Sequence, residues 1–115
     1  MDMAAYQSWF NGLSKLDKVA ALLLVMHSFT IAIRGLLIEF PYDSAKQWRL
    51  AYHLSEINHA LTSAAGAILA DRETYPGNAL IEIIFDQTNY LELEGQCRIA
   101  LQDAVRHLRT TNAGV

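Results

Sequence analysis

The segment Glu56-Ile57-Asn58-His59 carries the sharpest chemical possibility in this chain. A Glu and a His three residues apart on a helix set a carboxylate and an imidazole on adjacent turns. Helical carboxylate bundles hold two metal ions with two such pairs plus two further Glu. This chain has a single pair, so a symmetric dimer would have to supply the second. Glu82 or Asp86 would supply the remaining carboxylates, and iron, manganese or zinc would be the ion. Helix geometry points the other way. At 3.6 residues per turn, Glu56 lies about 100° and His59 about 200° around the helix from Ile57, off the apolar seam. A solvated helix face is the expectation, with Glu56, His59 and Glu82 kept as candidate ligands and no cofactor expected.

The other reactive side chains lack partners for catalysis. Serines stand at positions 8, 14, 28, 44, 55 and 63, and none lies in a Gly-x-Ser-x-Gly elbow. No glycine-rich phosphate loop is present. Cys97 falls in an apolar helical line and reads as a packed thiol, because a reactive one needs exposure and nearby positive charge. His53 sits three residues before Glu56 and reads as its surface partner. His107, four residues after Asp103, reads as a cation complementing a helix C-terminus. His27 lies inside an apolar helix and reads as a buried imidazole hydrogen-bonded to a neighbour. An enzyme is not expected.

Composition narrows the classes further. The 115 residues are 52% hydrophobic and 18% charged, which fits one globular domain over 1–115 and excludes a disordered tail. Net charge is −3, with nine Lys and Arg against twelve Asp and Glu. A phosphate-tracking surface needs clustered cations, so nucleic acid is not an expected partner. The single cysteine excludes an internal disulfide and a thiolate zinc site. A lone thiol and a start without a positive leader region fit a cytoplasmic protein.

The elements that position these residues read as helices, with no strand-like alternation between the breakers Asn11-Gly12, Pro41 and Pro76-Gly77. A short helix is predicted over Met3–Phe10. Ser14 with Asp17 three residues on resembles a capping box, opening a helix that should run to about Glu39. The third helix starts near Asp43 or Ser44. Its seam of Leu50, Leu54, Ile57, Leu61, Ala64 and Ile68 alternates steps of four and three, as in a coiled coil. Gly66 lies within this helix, where a close neighbouring backbone would explain it. The last stretch, 79–109, changes phase around Thr88–Tyr90 and reads as one kinked helix or two. The expected fold is all-α, an elongated antiparallel bundle of three long helices plus a short N-terminal one.

The second helix carries two apolar stripes. One reads Leu16, Val19, Leu23, His27 and Thr30. The other reads Leu22, Val25, Phe29, Ile33, Leu36 and Phe40. A helix apolar on most sides must be buried on most sides, and two other long helices cannot cover it. The expectation is a homodimer docked through Leu22, Val25, Phe29 and Ile33. Aromatic residues off the seams, Trp48 and Tyr52 among them, favour protein contacts, a different protein partner included. The function expected is a non-enzymatic interaction or regulatory protein. The alternatives are the metal-binding bundle above and a membrane-associated protein anchored by residues 19–38. The latter is disfavoured by Arg34, because a charge is costly to insert.

Overall fold

The computed structural model describes residues 2–39, 45–72 and 94–113. Among them the chain is all-α, with four α-helices: α1 (Met3–Asn11), α2 (Lys15–Arg34), α3 (Ala45–Leu69) and α4 (Glu94–Ala113). A single wide π-helical turn, Gly35–Glu39, continues α2 to the end predicted for it.

Helix starts follow local chemistry. The Asp2 carboxylate caps α1 by accepting the Ala5 N–H at 2.9 Å. Ser14 Oγ caps α2 by accepting the Asp17 N–H at 3.2 Å. Each satisfies a donor that the helix itself leaves open, a contribution of about 1 kcal/mol. The end of α3 is a Schellman motif: the Arg72 N–H reaches Ala67 O at 2.9 Å and the Asp71 N–H reaches Ile68 O at 3.2 Å. This geometry forces Asp71 to a left-handed φ of 54°, a position that favours glycine. The Asp71 carboxylate instead pairs with Lys15 Nζ at 2.8 Å. Both groups are exposed, so the pair contributes at most about 1 kcal/mol.

The seam of α3 is buried as its spacing predicts, with Leu54, Ile57, Leu61 and Ala64 inside. Leu50 and Ile68 pack at its edges. Helix α2 packs against both α3 and α4. Leu22, Val25 and Phe29 of α2 join Ala100, Leu101, Ala104 and Val105 of α4 in one core. Tyr6 and Phe10 of α1 close it, with Trp9 and Leu13 packed alongside. The segment 79–93, and with it the question of one helix or two, lies outside the described residues.

A polar node crosses the α2–α3 contact. Asn58 Nδ2 donates to Met26 O at 3.3 Å and to Thr30 Oγ1 at 3.2 Å. The Thr30 hydroxyl donates to the same Met26 carbonyl at 2.9 Å. Thr62 Oγ1 lies 3.1 Å from Met26 Sδ and donates to Asn58 O at 2.8 Å. These contacts, with Lys15–Asp71, run in opposite order along α2 and α3. They fix which turn of one helix faces which turn of the other.

Gly66 departs from expectation. It has space around it: a Cβ there would meet nothing within 4 Å. No close backbone approach explains it, and its φ is not positive. Gly66→Ala therefore raises stability by about 0.5–1 kcal/mol, through the lower backbone entropy of the unfolded chain. Urea denaturation reads this directly.

Candidate functional site

Two outer faces hold the side chains with functional potential. The first is the solvent side of α3. Trp48 stacks on Tyr52 one turn on, with ring centroids 5.7 Å apart and planes 13° apart. Tyr52 meets the His53 ring edge-on at 6.2 Å. The Tyr52 hydroxyl hydrogen-bonds the Glu56 carboxylate, again one turn along. This bond, and then the negative charge of Glu56, hold the Tyr52 phenol above its ordinary pKa. The first cause dominates because ionising the phenol surrenders its donor.

Glu56 is thus engaged along its own helix. His59 is exposed, on the solvated face that helix geometry predicts. Among the described residues no three His, Cys, Asp or Glu come close enough to hold a metal ion. Glu82 and Asp86 lie outside the described residues, as does the side chain of Cys97. His107 Nδ1 is 2.8 Å from the Asp103 carbonyl, so that nitrogen carries the proton and donates. Asp103 also forms an ion pair with Arg106.

Glu56→Gln removes the charge and weakens the acceptor, so the Tyr52 phenol then ionises at lower pH, nearer an ordinary tyrosine. Ultraviolet phenolate absorbance during alkaline titration measures this. A Tyr52→Phe control identifies which of the five tyrosines moves.

The second face is the outer side of α2, and here the structure corrects the expected docking surface. Leu22, Val25 and Phe29 are buried inside the chain's own core, and Ile33 is half-buried against it. They are consumed because α3 and α4 both cover this side of α2. The apolar surface left over is on the opposite side. Leu16, Leu23, Ile31 and Ile38 are 70%, 56%, 58% and 60% exposed. His27 and Arg34 lie among them and are also exposed, and exposed Thr30 borders them at the edge that Asn58 of α3 reaches. His27 is therefore a surface imidazole instead of a buried one. Arg34 reaches solvent in the last turn of α2, where a cation complements the helix dipole.

The sequence contained a signal for this assignment. His27, Thr30 and Arg34 interrupt one side of α2 alone, and a side interrupted three times is the cheaper one to leave in water. Leu16 and Leu23 belong to the stripe that His27 and Thr30 mark as outer. Ile31 and Ile38 are additions made by the structure.

Fold and surface together define an all-α protein with an apolar row on α2 and an aromatic stack on α3. Comparison of the chain with family models, curated proteins and solved structures finds no match in any of the three. The functional reading therefore stands on these two faces.

Proposed function

We propose that this chain is a non-enzymatic interaction protein that acts as a homo-oligomer. In this reading its three long helices form an elongated antiparallel bundle. Support for the bundle comes from the opposed order of the α2–α3 contacts and from extents of 46 × 31 × 23 Å. Support for self-association comes from one observation above all: four large aliphatic side chains on one helix face stand more than half exposed. Removing each from water contributes on the order of 1 kcal/mol. A row of this kind on a soluble surface marks a contact site.

The test is mass in solution. The wild type is expected at twice 12.9 kDa at micromolar concentration. Leu23→Glu is expected at the single-chain mass with its helix content intact, because the charge must stay hydrated and Leu23 takes no part in the core. A wild type that stays at single mass at every concentration overturns the reading. So does a folded Leu23→Glu that keeps the wild-type mass.

One observation favours a second reading. Lys15–Ile38 is long and apolar enough to cross a membrane, and it contains the whole of the proposed anchor 19–38. Such a span would have to take α2 out of its core with Leu54, Ile57 and Leu61, or carry the polar side of α3 with it. Recovery of the protein in the soluble fraction without detergent removes this reading. Recovery in membranes alone removes the first.

A further inference from the structure

Met26 touches both sides of the α2–α3 contact. Its carbonyl accepts from Thr30 Oγ1 and from Asn58 Nδ2. Its sulfur lies 3.1 Å from Thr62 Oγ1, which donates to Asn58 O at 2.8 Å. A hydroxyl has one proton and a thioether is a weak acceptor, so the carbonyl of Asn58 takes that proton and the sulfur lone pairs stay free. The side chain is half-buried and packs against the core. Thr30 and Thr62 beside it are exposed. The sulfur therefore stands at the rim of the core, within reach of a small solute.

A thioether with free lone pairs reacts with hydrogen peroxide. A lone pair of Sδ attacks one oxygen of the peroxide. The S–O bond forms as the O–O bond breaks, and the second oxygen leaves with both protons as water. Sulfur gives up two electrons and the peroxide takes them. The product is methionine sulfoxide, which is polar where the thioether was apolar.

The sulfoxide does not fit the place that the thioether fills. Sδ and Thr62 Oγ1 already touch, so no oxygen enters between them. On the inner side the oxygen would face apolar side chains that offer it no hydrogen bond. Either the Met26 side chain swings outward or α2 moves away from α3, and in both cases the core loses the packing of Met26. The new oxygen also competes with Asn58 O for the Thr62 proton.

We infer that Met26 is an oxidation site through which peroxide acts on the α2–α3 contact. Its sulfoxide loosens the two helices, and methionine sulfoxide reductases restore them. The inference is independent of the self-association proposed above, because Met26 packs inward and takes no part in the exposed row of α2.

Mild treatment with hydrogen peroxide tests it, in the full chain with Cys97→Ser as background so that no thiol reacts. The methionines stand at positions 1, 3 and 26. Cleavage after lysine and arginine puts Met26 alone in the fragment 19–34 and the other two in 1–15, so mass spectrometry reads each separately. Gain of one oxygen in 19–34 is expected, with the unfolding constant in urea raised on the order of tenfold. Reductase treatment is expected to remove the oxygen and restore the original curve. Met26→Leu, a swap of similar volume, is expected to fold and to ignore peroxide, whereas Met3→Leu, at an exposed site, leaves the response unchanged. Thr62→Ala opens space beside the sulfur and is expected to shrink the oxidation effect. A fragment 19–34 that stays unoxidised while 1–15 reacts overturns the inference. So does an oxidised Met26 with an unchanged urea curve, or an effect that Thr62→Ala leaves at full size.

Discussion

Phe29→Ala lowers the free energy of unfolding by about 3–5 kcal/mol, the usual cost of truncating a buried phenylalanine. Phe29 is fully buried, in the core that α2 shares with α3 and α4. Loss of the ring removes its transfer energy and leaves a cavity that helices on two sides cannot close. A domain of this size commonly has 5–15 kcal/mol in total, so about 4 kcal/mol decides between a folded and a half-unfolded population. Urea denaturation followed by far-ultraviolet circular dichroism measures it. The concentration dependence carries the argument. If Phe29 serves the core, most of the loss stays when the protein is diluted below its association range. If Phe29 lined a docking face, the loss would vanish there, because the dilute monomer would already lack the contact. Phe29→Glu follows the same logic more severely: it unfolds the chain, where Leu23→Glu leaves a folded monomer.

That contrast marks where the sequence was legible and where it was not. The helix starts at Asp2 and Ser14 could be read because capping is local: one oxygen, one N–H, three residues apart. The seam of α3 could be read because only one of its sides is apolar. Helix α2 offered two apolar stripes of similar weight, and periodicity cannot rank two such stripes. Tertiary packing ranks them. The stripe with Leu22, Val25 and Phe29 goes inward, and of the stripe broken by His27 and Thr30 only Val19 is buried, with Leu16 and Leu23 left outside. Among the described residues, Leu16, Leu23, Ile31 and Ile38 of this helix stand exposed. The particular face was misassigned.

The candidate metal pair shows the reverse case. Glu56 and His59 match a ligand pattern in sequence, yet their angular offset from Ile57 already placed them on the water side. The structure gives Glu56 a tyrosine partner on its own helix. The Schellman end at Asp71 and the Asn58 node were not legible. The first depends on a left-handed residue that is usually glycine, and the second on two turns distant in sequence meeting.

The Asn58 node gives the second large effect. Asn58→Asp is expected to destabilise the chain by about 2–4 kcal/mol at neutral pH. The amide nitrogen of Asn58 faces two acceptors, the Met26 carbonyl and the Thr30 hydroxyl oxygen. A carboxylate in that place has no proton to offer and sets its charge against the carbonyl. Its other oxygen occupies the position of Asn58 Oδ1, a buried atom with no hydrogen-bond partner among the described residues. Asn58→Leu separates charge from lost bonding. It removes both donors but strands no charge, and Met26 O keeps the Thr30 hydroxyl, so its cost is about 1 kcal/mol or less. The pH dependence supplies the sign. In the Asp variant the folded state favours the neutral carboxyl, which can donate one of the missing bonds, so the pKa of the introduced group is raised on folding. Its penalty is smallest below the unfolded value, about 3.9, and grows as pH rises through the raised folded value. The stability difference from wild type should therefore widen between about pH 3 and pH 7, while that of Asn58→Leu stays level. A difference that is flat with pH would mean that the node is open to water and does not hold α2 and α3 in register.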